Sequence, residues 1–318
     1  MLRYLARRLL IAIPVLFGIL FLAFIMTRAL PGDPLLMMMS IEEFEASEEY
    51  LETRREQLGL NDPLPVQYVA WVGEVFQGNL GTSFQRREPI TEIIGERIGP
   101  TIRLTGASVL IALLIGVPTG VIAAIRQNTW FDYTSATGSM LAISIPNFFL
   151  GLMAIFVFSL RLGWLPTGGI NTLGQEPTFM NSLVHLIMPA GVLAAVLIGP
   201  YVRYTRQSML DVLRQDYITT AKAKGVPRRA ILIFHGLRNA LVPLTTVIAI
   251  QIPALLAGTV IIETIFTWPG MGQLVLEGIT RRDYPIIVGV VLVSAVLVMI
   301  FNLVADLLAA VLDPRIRL

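Results

Sequence analysis

Long uncharged stretches alternate with short charged ones along this chain. Crossing the hydrocarbon core of a bilayer takes about 20 apolar residues in a helix. Six stretches reach that length without a charge: residues 9–27, 104–125, 133–160, 177–202, 239–262 and 284–305. A segment inside a bilayer must satisfy its own backbone hydrogen bonds, as a helix or as part of a closed barrel. Runs this long, without two-residue alternation, predict helices. The expected fold is therefore an all-α membrane protein with six transmembrane helices. Residues 1–30 form an N-terminal transmembrane helix, 31–100 a helical insert, and 101–318 a five-helix core that includes the loop 203–238. The basic start (Arg3, Arg7, Arg8) resembles a secretion signal, but the run after it is too long and no small-x-small cleavage site follows. It reads as a retained helix.

Composition agrees with the pattern. Hydrophobic residues make up 55% of the 318, and charged residues only 14%, against about 25% in soluble domains. A water-soluble globule has nowhere to hide so much apolar surface. Cysteine is absent and there are two histidines, His185 and His235. Thiol chemistry, disulfides and a His-x-x-x-His metal pair are excluded, and no metal site is expected. The only lysines, Lys222 and Lys224, are followed by Ala and Gly, so no Gly-Lys-Ser/Thr phosphate loop exists and this chain does not bind ATP that way. Neither Gly-x-Ser-x-Gly nor His-Glu-x-x-His occurs, which argues against a membrane hydrolase. No catalytic residues and no nucleic-acid partner are expected.

Charge sets the orientation. Residues 203–238 hold eight basic residues against Asp211 and Asp216, whereas residues 31–97 hold thirteen acidic residues against five basic ones. The positive-inside rule places the basic loop and both termini in the cytoplasm, and the acidic insert outside. Within the insert, residues 41–58 read as a charged helix and 66–76 as an amphipathic one. Tyr68, Trp71, Val72 and Val75 are available for packing there, and Gly78 follows. The insert is either a cap over the bundle or a docking surface.

In the basic loop, Met209, Leu213, Tyr217 and Ala221 recur at helical spacing. Asp216 is placed to cap a short helix over 217–224. Lys222 and Lys224 suit its C-terminal end, Gly225 its left-handed C′ position, and Pro227 its termination. A second helix starts near Pro227. Such a projecting helix either transmits force to a cytoplasmic partner or lies on anionic lipid headgroups. Six prolines (Pro118, Pro146, Pro189, Pro200, Pro243, Pro253) interrupt the spans, a pattern suited to helices that bend around a path.

The stretch Asp216-Tyr217-Ile218-Thr219-Thr220-Ala221-Lys222-Ala223-Lys224-Gly225, with Leu237-Arg238-Asn239-Ala240-Leu241-Val242-Pro243 after it, resembles the EAA-type loop of ABC importer permeases, above all the dipeptide/oligopeptide/nickel subfamily. The start Met1-Leu2-Arg3-Tyr4 with Pro31-Gly32-Asp33-Pro34 is similar to the first-permease subunits of that family. So are Ser144-Ile145-Pro146-Asn147-Phe148, Glu263-Thr264-Ile265-Phe266-Thr267-Trp268-Pro269-Gly270-Met271-Gly272, Arg282-Asp283-Tyr284-Pro285 and Asp313-Pro314-Arg315. One departure stands out: Thr219-Thr220-Ala221 replaces Glu-Ala-Ala.

The resemblance implies six helices of ABC importer type and a half-channel in a prokaryotic inner membrane. The implied partners are a second homologous permease, two cytoplasmic ATP-binding subunits, an extracytoplasmic substrate-binding protein and the lipid bilayer. ATP and Mg would be bound by the partner subunits and no cofactor by this chain. Asp216, Tyr217, Thr219, Thr220, Ala221, Lys222, Lys224 and Gly225 would form the coupling segment. Trp268, Pro269 and Gly270 read as a tight turn with an exposed aromatic, anchored at the membrane interface or reaching the binding protein. Asn147, Gln251 and Asn302 are polar groups inside spans, either path-lining or bonded between helices. A carrier or channel working without an ATPase is the other class considered, but uncharged spans offer it no coupling site. The cargo is not legible.

Overall fold

The computed structural model describes residues 2–29, 48–57 and 59–312. The motifs at residues 31–34 and 313–315, and the first part of the helix expected over 41–58, lie outside the described residues. Apart from one β-bridge between Thr82 and Pro89, the regular structure among the described residues is helical. In chain order the helices are α1 (Leu2–Ala29), α2 (Glu48–Gln57), α3 (Leu64–Phe76), α4 (Ile90–Ile125) and α5 (Trp130–Ser144). Next come α6 (Asn147–Ala154), which widens into a π-helix over Ile155–Arg161, α7 (Phe179–Leu213) and α8 (Asp216–Ala223). The single turn α9 (Arg228–Ala230) widens into a second π-helix over Ile231–Leu237 and continues as α10 (Arg238–Ile265). The last two are α11 (Met271–Arg281) and α12 (Tyr284–Leu312).

Four described stretches are long and apolar enough to cross a membrane: Ile90–Ile125, Phe179–Leu213, Arg228–Ile248 and Tyr284–Val304. Helix α1, Leu2–Ala29, contains the uncharged stretch 9–27, and the span expected over 133–160 is two helices, α5 and α6, bent by 96°. Pro146 accounts for the bend. It has no N–H to donate, and it forces the residue before it out of the helical region. Ile145 accordingly sits at φ −87°, ψ 125°. The spans are also less free of charge than expected. Asp132 lies inside α5, and α7 runs on to Leu213, taking Arg203 and Arg206 with it.

The chain divides into two compact units. One comprises residues 1–4, 99–273 and 298–318, the other 5–98 and 274–297. In the first unit α7 is the packing axis. Its buried residues Met188, Leu193, Ala194, Leu197 and Tyr201 share a core with Leu104, Leu244, Ile262, Phe266 and Trp268. Small residues permit the closest approach. A Cβ on Gly116 would fall 2.8 Å from the Cβ of Tyr201, and one on Gly120 would fall 2.7 Å from the carbonyl oxygen of Val202. The two glycines, four apart, lie on one face of α4, so its backbone rests on that of α7.

In the second unit Leu20, Val72 and Leu292 form a core with Tyr68, Trp71 and Val75 around them. The apolar face read in residues 66–76 is therefore the face that α3 buries. Buried Asp283 stands at the start of α12. It accepts from the Ser83 hydroxyl and from the backbone N–H groups of Phe84 and Gln85 at 3.2 and 3.1 Å. Arg86 meets Glu277 of α11 at 2.8 Å. These bonds fix the 83–88 turn on the α11–α12 junction.

Candidate functional site

Helix α7 stops at Leu213 because Arg214 and Gln215 leave the helix, Gln215 in an extended conformation at ψ 148°. Gln215, not Asp216, occupies the cap position, and Asp216 is the first residue of α8. Its carboxylate still lies at the positive end of the helix dipole. The same break corrects the single face drawn through Met209, Leu213, Tyr217 and Ala221. The first two belong to α7 and the last two to α8.

The far end of α8 follows the sequence. Gly225 takes φ +74°, its N–H donates to the carbonyl of Lys222 at 3.0 Å, and the Val226 N–H donates to that of Ala221 at 3.2 Å. This pair of bonds is a Schellman motif, which needs a left-handed residue at C′. Its usual hydrophobic contact is present too, since Val226 packs with Ala221, Ile218 and Ile231.

Burial then sorts the loop residues. Ile218 and Ala221 are buried, so Ala221 faces inward and belongs to the support of the helix. Asp216, Tyr217, Thr219, Thr220, Lys222, Lys224 and Gly225 are exposed. The Tyr217 hydroxyl accepts from Asn239 Nδ2 at 3.3 Å. Through Asn239, this contact ties α8 to the base of α10. The result is a short, capped helix with a mixed-charge face turned outward and a small apolar face seated on the turn that leads into α10.

The corner between α10 and α11 departs from expectation. Trp268 is 2% exposed. Its indole N–H donates to the carbonyl of Pro100 at 3.0 Å, and its backbone N–H to that of Glu263 at 2.7 Å. An indole carries one donor, which a buried site must satisfy, and the Pro100 carbonyl, with two lone pairs, can accept it. Trp268 is thus part of the core, not an exposed aromatic. Pro269 is half-buried and Gly270 buried. A Cβ on Gly270 would fall 2.2 Å from the Glu263 carboxyl, so glycine is required there.

Glu263 is the residue that sequence reasoning missed. Its side chain is wholly buried. Oε1 accepts from the Thr101 hydroxyl at 2.8 Å and Oε2 from the Gln273 N–H at 3.0 Å. The Gly272 N–H and the Thr259 hydroxyl donate as well. Thr101 in turn accepts from the Met271 N–H at 2.8 Å. The one available signal was a lone acidic residue at the end of an apolar run.

Asn147 begins α6 at the bend, Gln251 lies in α10 and Asn302 in α12, each partly buried. No hydrogen bond among the described residues joins any two of them, and the Gln251 Oε1 is buried without a partner there. No group of three or more potential metal-ligating side chains occurs among the described residues.

Residues 116–318 match the family model described as "Binding-protein-dependent transport system inner membrane component". Residues 1–105 match the one described as "Binding-prot-dependent transport system membrane comp, N-term". This chain belongs to that family. Family membership makes it an integral membrane permease component of an ABC importer, the class to which its loop motif pointed. Full-length relatives agree. The chain is 45% identical over 99% of both chains to the oligopeptide transport system permease protein AppB of Bacillus subtilis. It is 39% identical to the dipeptide transport system permease protein DppB of Alkalihalophilus pseudofirmus, covering 100% of both chains. It is also 39% identical to the glutathione transport system permease protein GsiC of Escherichia coli, over 100% of this chain and 99% of that one. Among solved structures, the inward-facing MetNI methionine ABC transporter contains a chain with the same fold at 17% identity. The TM-score is 0.57 over 71% of this chain and 99% of that one.

Proposed function

We propose that this permease forms half of the path through which an ATP-driven importer takes up peptides or related small solutes. The observation that carries the reading is α8, a short capped helix whose outward residues stand exposed, tied to the rest of the described residues on that side by the Tyr217–Asn239 contact. In this reading α8 is the coupling helix, with Asp216, Tyr217, Thr219, Thr220, Lys222, Lys224 and Gly225 as its outer surface and Ala221 beneath them. It docks on one of two cytoplasmic ATP-binding subunits, which hold ATP and Mg. The termini and residues 203–238 are cytoplasmic. A second homologous permease completes the path, and an extracytoplasmic binding protein delivers the cargo. The relatives' names, covering oligopeptides, dipeptides and glutathione, support small peptides as the cargo class. Pro269 and Gly270 belong to the corner that meets the binding protein. Asn147, Gln251 and Asn302 offer hydrogen bonds to the moving solute.

The mechanism is mechanical. Closure of the ATP-binding pair moves α8, and the π-helix over Ile231–Leu237 carries that motion into α10. A wide turn of this kind is a frequent mark of a functional break in a helix. Reconstitution tests the reading. Uptake into proteoliposomes should require the full complex, ATP and the binding protein together. Transport by this chain alone, without ATP, would overturn it in favour of a carrier or channel.

A further inference from the structure

The carboxylate of Glu263 accepts from side chains and backbone on both sides of the α10–α11 corner, and no cation pairs with it among the described residues. Four donors converge on it: the hydroxyls of Thr101 and Thr259 and the N–H groups of Gly272 and Gln273. A carboxylate is acceptor-only, so this arrangement suits no other side chain of its length. An amide would turn a donor toward donors.

The knot has an exposed product. Between Phe266 (1% exposed) and Trp268 (2%) lies Thr267, exposed and at φ +48°. A β-branched residue in the left-handed region is strained, and such strain persists only where the surroundings over-determine it. Here they do. The Phe266 carbonyl accepts from the Gly169 N–H at 2.8 Å. Gly168 passes so close that a Cβ would fall 2.3 Å from that same oxygen. Trp268 is held by Pro100 and by the Glu263 backbone. Thr267 is therefore clamped from both sides and held out from the corner.

We propose that Glu263 is a positioning residue that holds Thr267 out as a rigid tip for contact with the cargo-loaded binding protein. The inference rests on the importer reading for the identity of that partner. Its positioning half stands on the corner geometry alone.

The test uses the intact permease–ATPase complex in lipid nanodiscs, with the binding protein that copurifies with it as the probe. Glu263→Gln and Thr101→Val should each raise the binding-protein concentration for half-maximal ATPase stimulation about tenfold, the size expected for loss of a buried charge-assisted hydrogen bond. ATPase activity without binding protein should stay within about twofold, and Thr101→Ser, which keeps the hydroxyl, should behave as wild type. An unchanged half-stimulating concentration in folded Glu263→Gln overturns the proposal. So does a parallel fall of basal and stimulated rates, which marks general support of the fold. Should wild type itself show no stimulation, the importer reading fails instead, and the positioning claim is judged separately. This chain has no cysteine, so a nitroxide on Thr267→Cys reports the tip directly, with the partner subunits made cysteine-free. Glu263→Gln should sharpen its immobile spectrum, and an unchanged spectrum overturns the claim.

Discussion

Arg206 of α7 meets Asp132 of α5 side-on, Nε to one carboxylate oxygen and Nη2 to the other at 2.7 Å. Asp132 also accepts from the N–H of Asn128, at 3.0 Å, in the turn that joins α4 to α5. Asn128 itself lies at φ +61°. One carboxylate thus secures a left-handed turn, the start of α5 and the C-terminal part of α7. The Asp132 side chain is 4% exposed, that of Arg206 26%. Removing one partner leaves the other poorly solvated, whereas removing both leaves neither stranded. Asp132→Ala should lower stability by about 2 kcal/mol, since Arg206 retains some water contact. Asp132→Ala with Arg206→Met should recover at least half of that. Thermal unfolding of the detergent-solubilised complex reads both, and additive losses would show that the pair is not coupled.

Gly116 and Gly120 set the distance between α4 and α7. At Gly120 the obstacles to a Cβ are the carbonyl of Val202 and the Thr205 Cβ, each 2.7 Å away, with little room to yield. Overpacking of a tight interface costs about 1–3 kcal/mol or more. Gly120→Val should therefore abolish recovery of folded complex, and Gly120→Ala should lower its melting temperature. Gly106→Ala, on the same helix with nothing within 4 Å of its Cβ, should be neutral. Size-exclusion profiles after heating separate the three.

What the sequence revealed, and what it hid, follows the range of each interaction. The end of α8 was legible because a Schellman motif is local: Gly225 and Pro227 lie within a few residues of the carbonyls they serve. The packing face of α3 was legible because helical spacing is local too. Trp268 was misread because Trp-Pro-Gly is a turn signal, while its burial depends on Pro100, far away in sequence. Glu263 was passed over for the same reason, since nothing near it announces Thr101. The bend at Pro146 was expected as a kink, but its size depends on how α5 and α6 each pack on α7.

Gly225 has open space around its Cβ position, so a substitution there meets strain rather than a clash. Holding an ordinary L-residue in the left-handed region costs about 1–2 kcal/mol. Asparagine tolerates that region better. Gly225→Asn should transport near the wild-type rate, Gly225→Ala should transport less, and Gly225→Pro should not transport at all, because proline cannot adopt a positive φ and cannot donate to Lys222. Uptake measured at matched membrane expression orders the three. Equal uptake by all would remove the Schellman end from the mechanism.

Ala221 sits under α8 against Ile218 and Ile231. A carboxylate there is buried without a partner and lifts the helix from its seat. Ala221→Asp should leave membrane insertion intact and separate ATP hydrolysis from uptake, with uptake lost and hydrolysis no longer stimulated by binding protein. Gly106→Ala, away from α8 with open space at its Cβ, should do neither. Normal, stimulated hydrolysis in Ala221→Asp would show that the seating of α8 is irrelevant to coupling.

The central claim is that the outward face of α8 meets an ATP-binding subunit, and a cysteine-free chain allows it to be tested at one atom. Lys224→Cys places a single thiol at the exposed end of the helix. A short bifunctional thiol reagent, applied to membranes containing the whole complex with a cysteine in the ATP-binding subunit's surface groove, should yield one crosslinked product of permease and ATPase. Its yield should change when ATP is added. Absence of that product in every nucleotide state, while the complex still transports, would contradict the account.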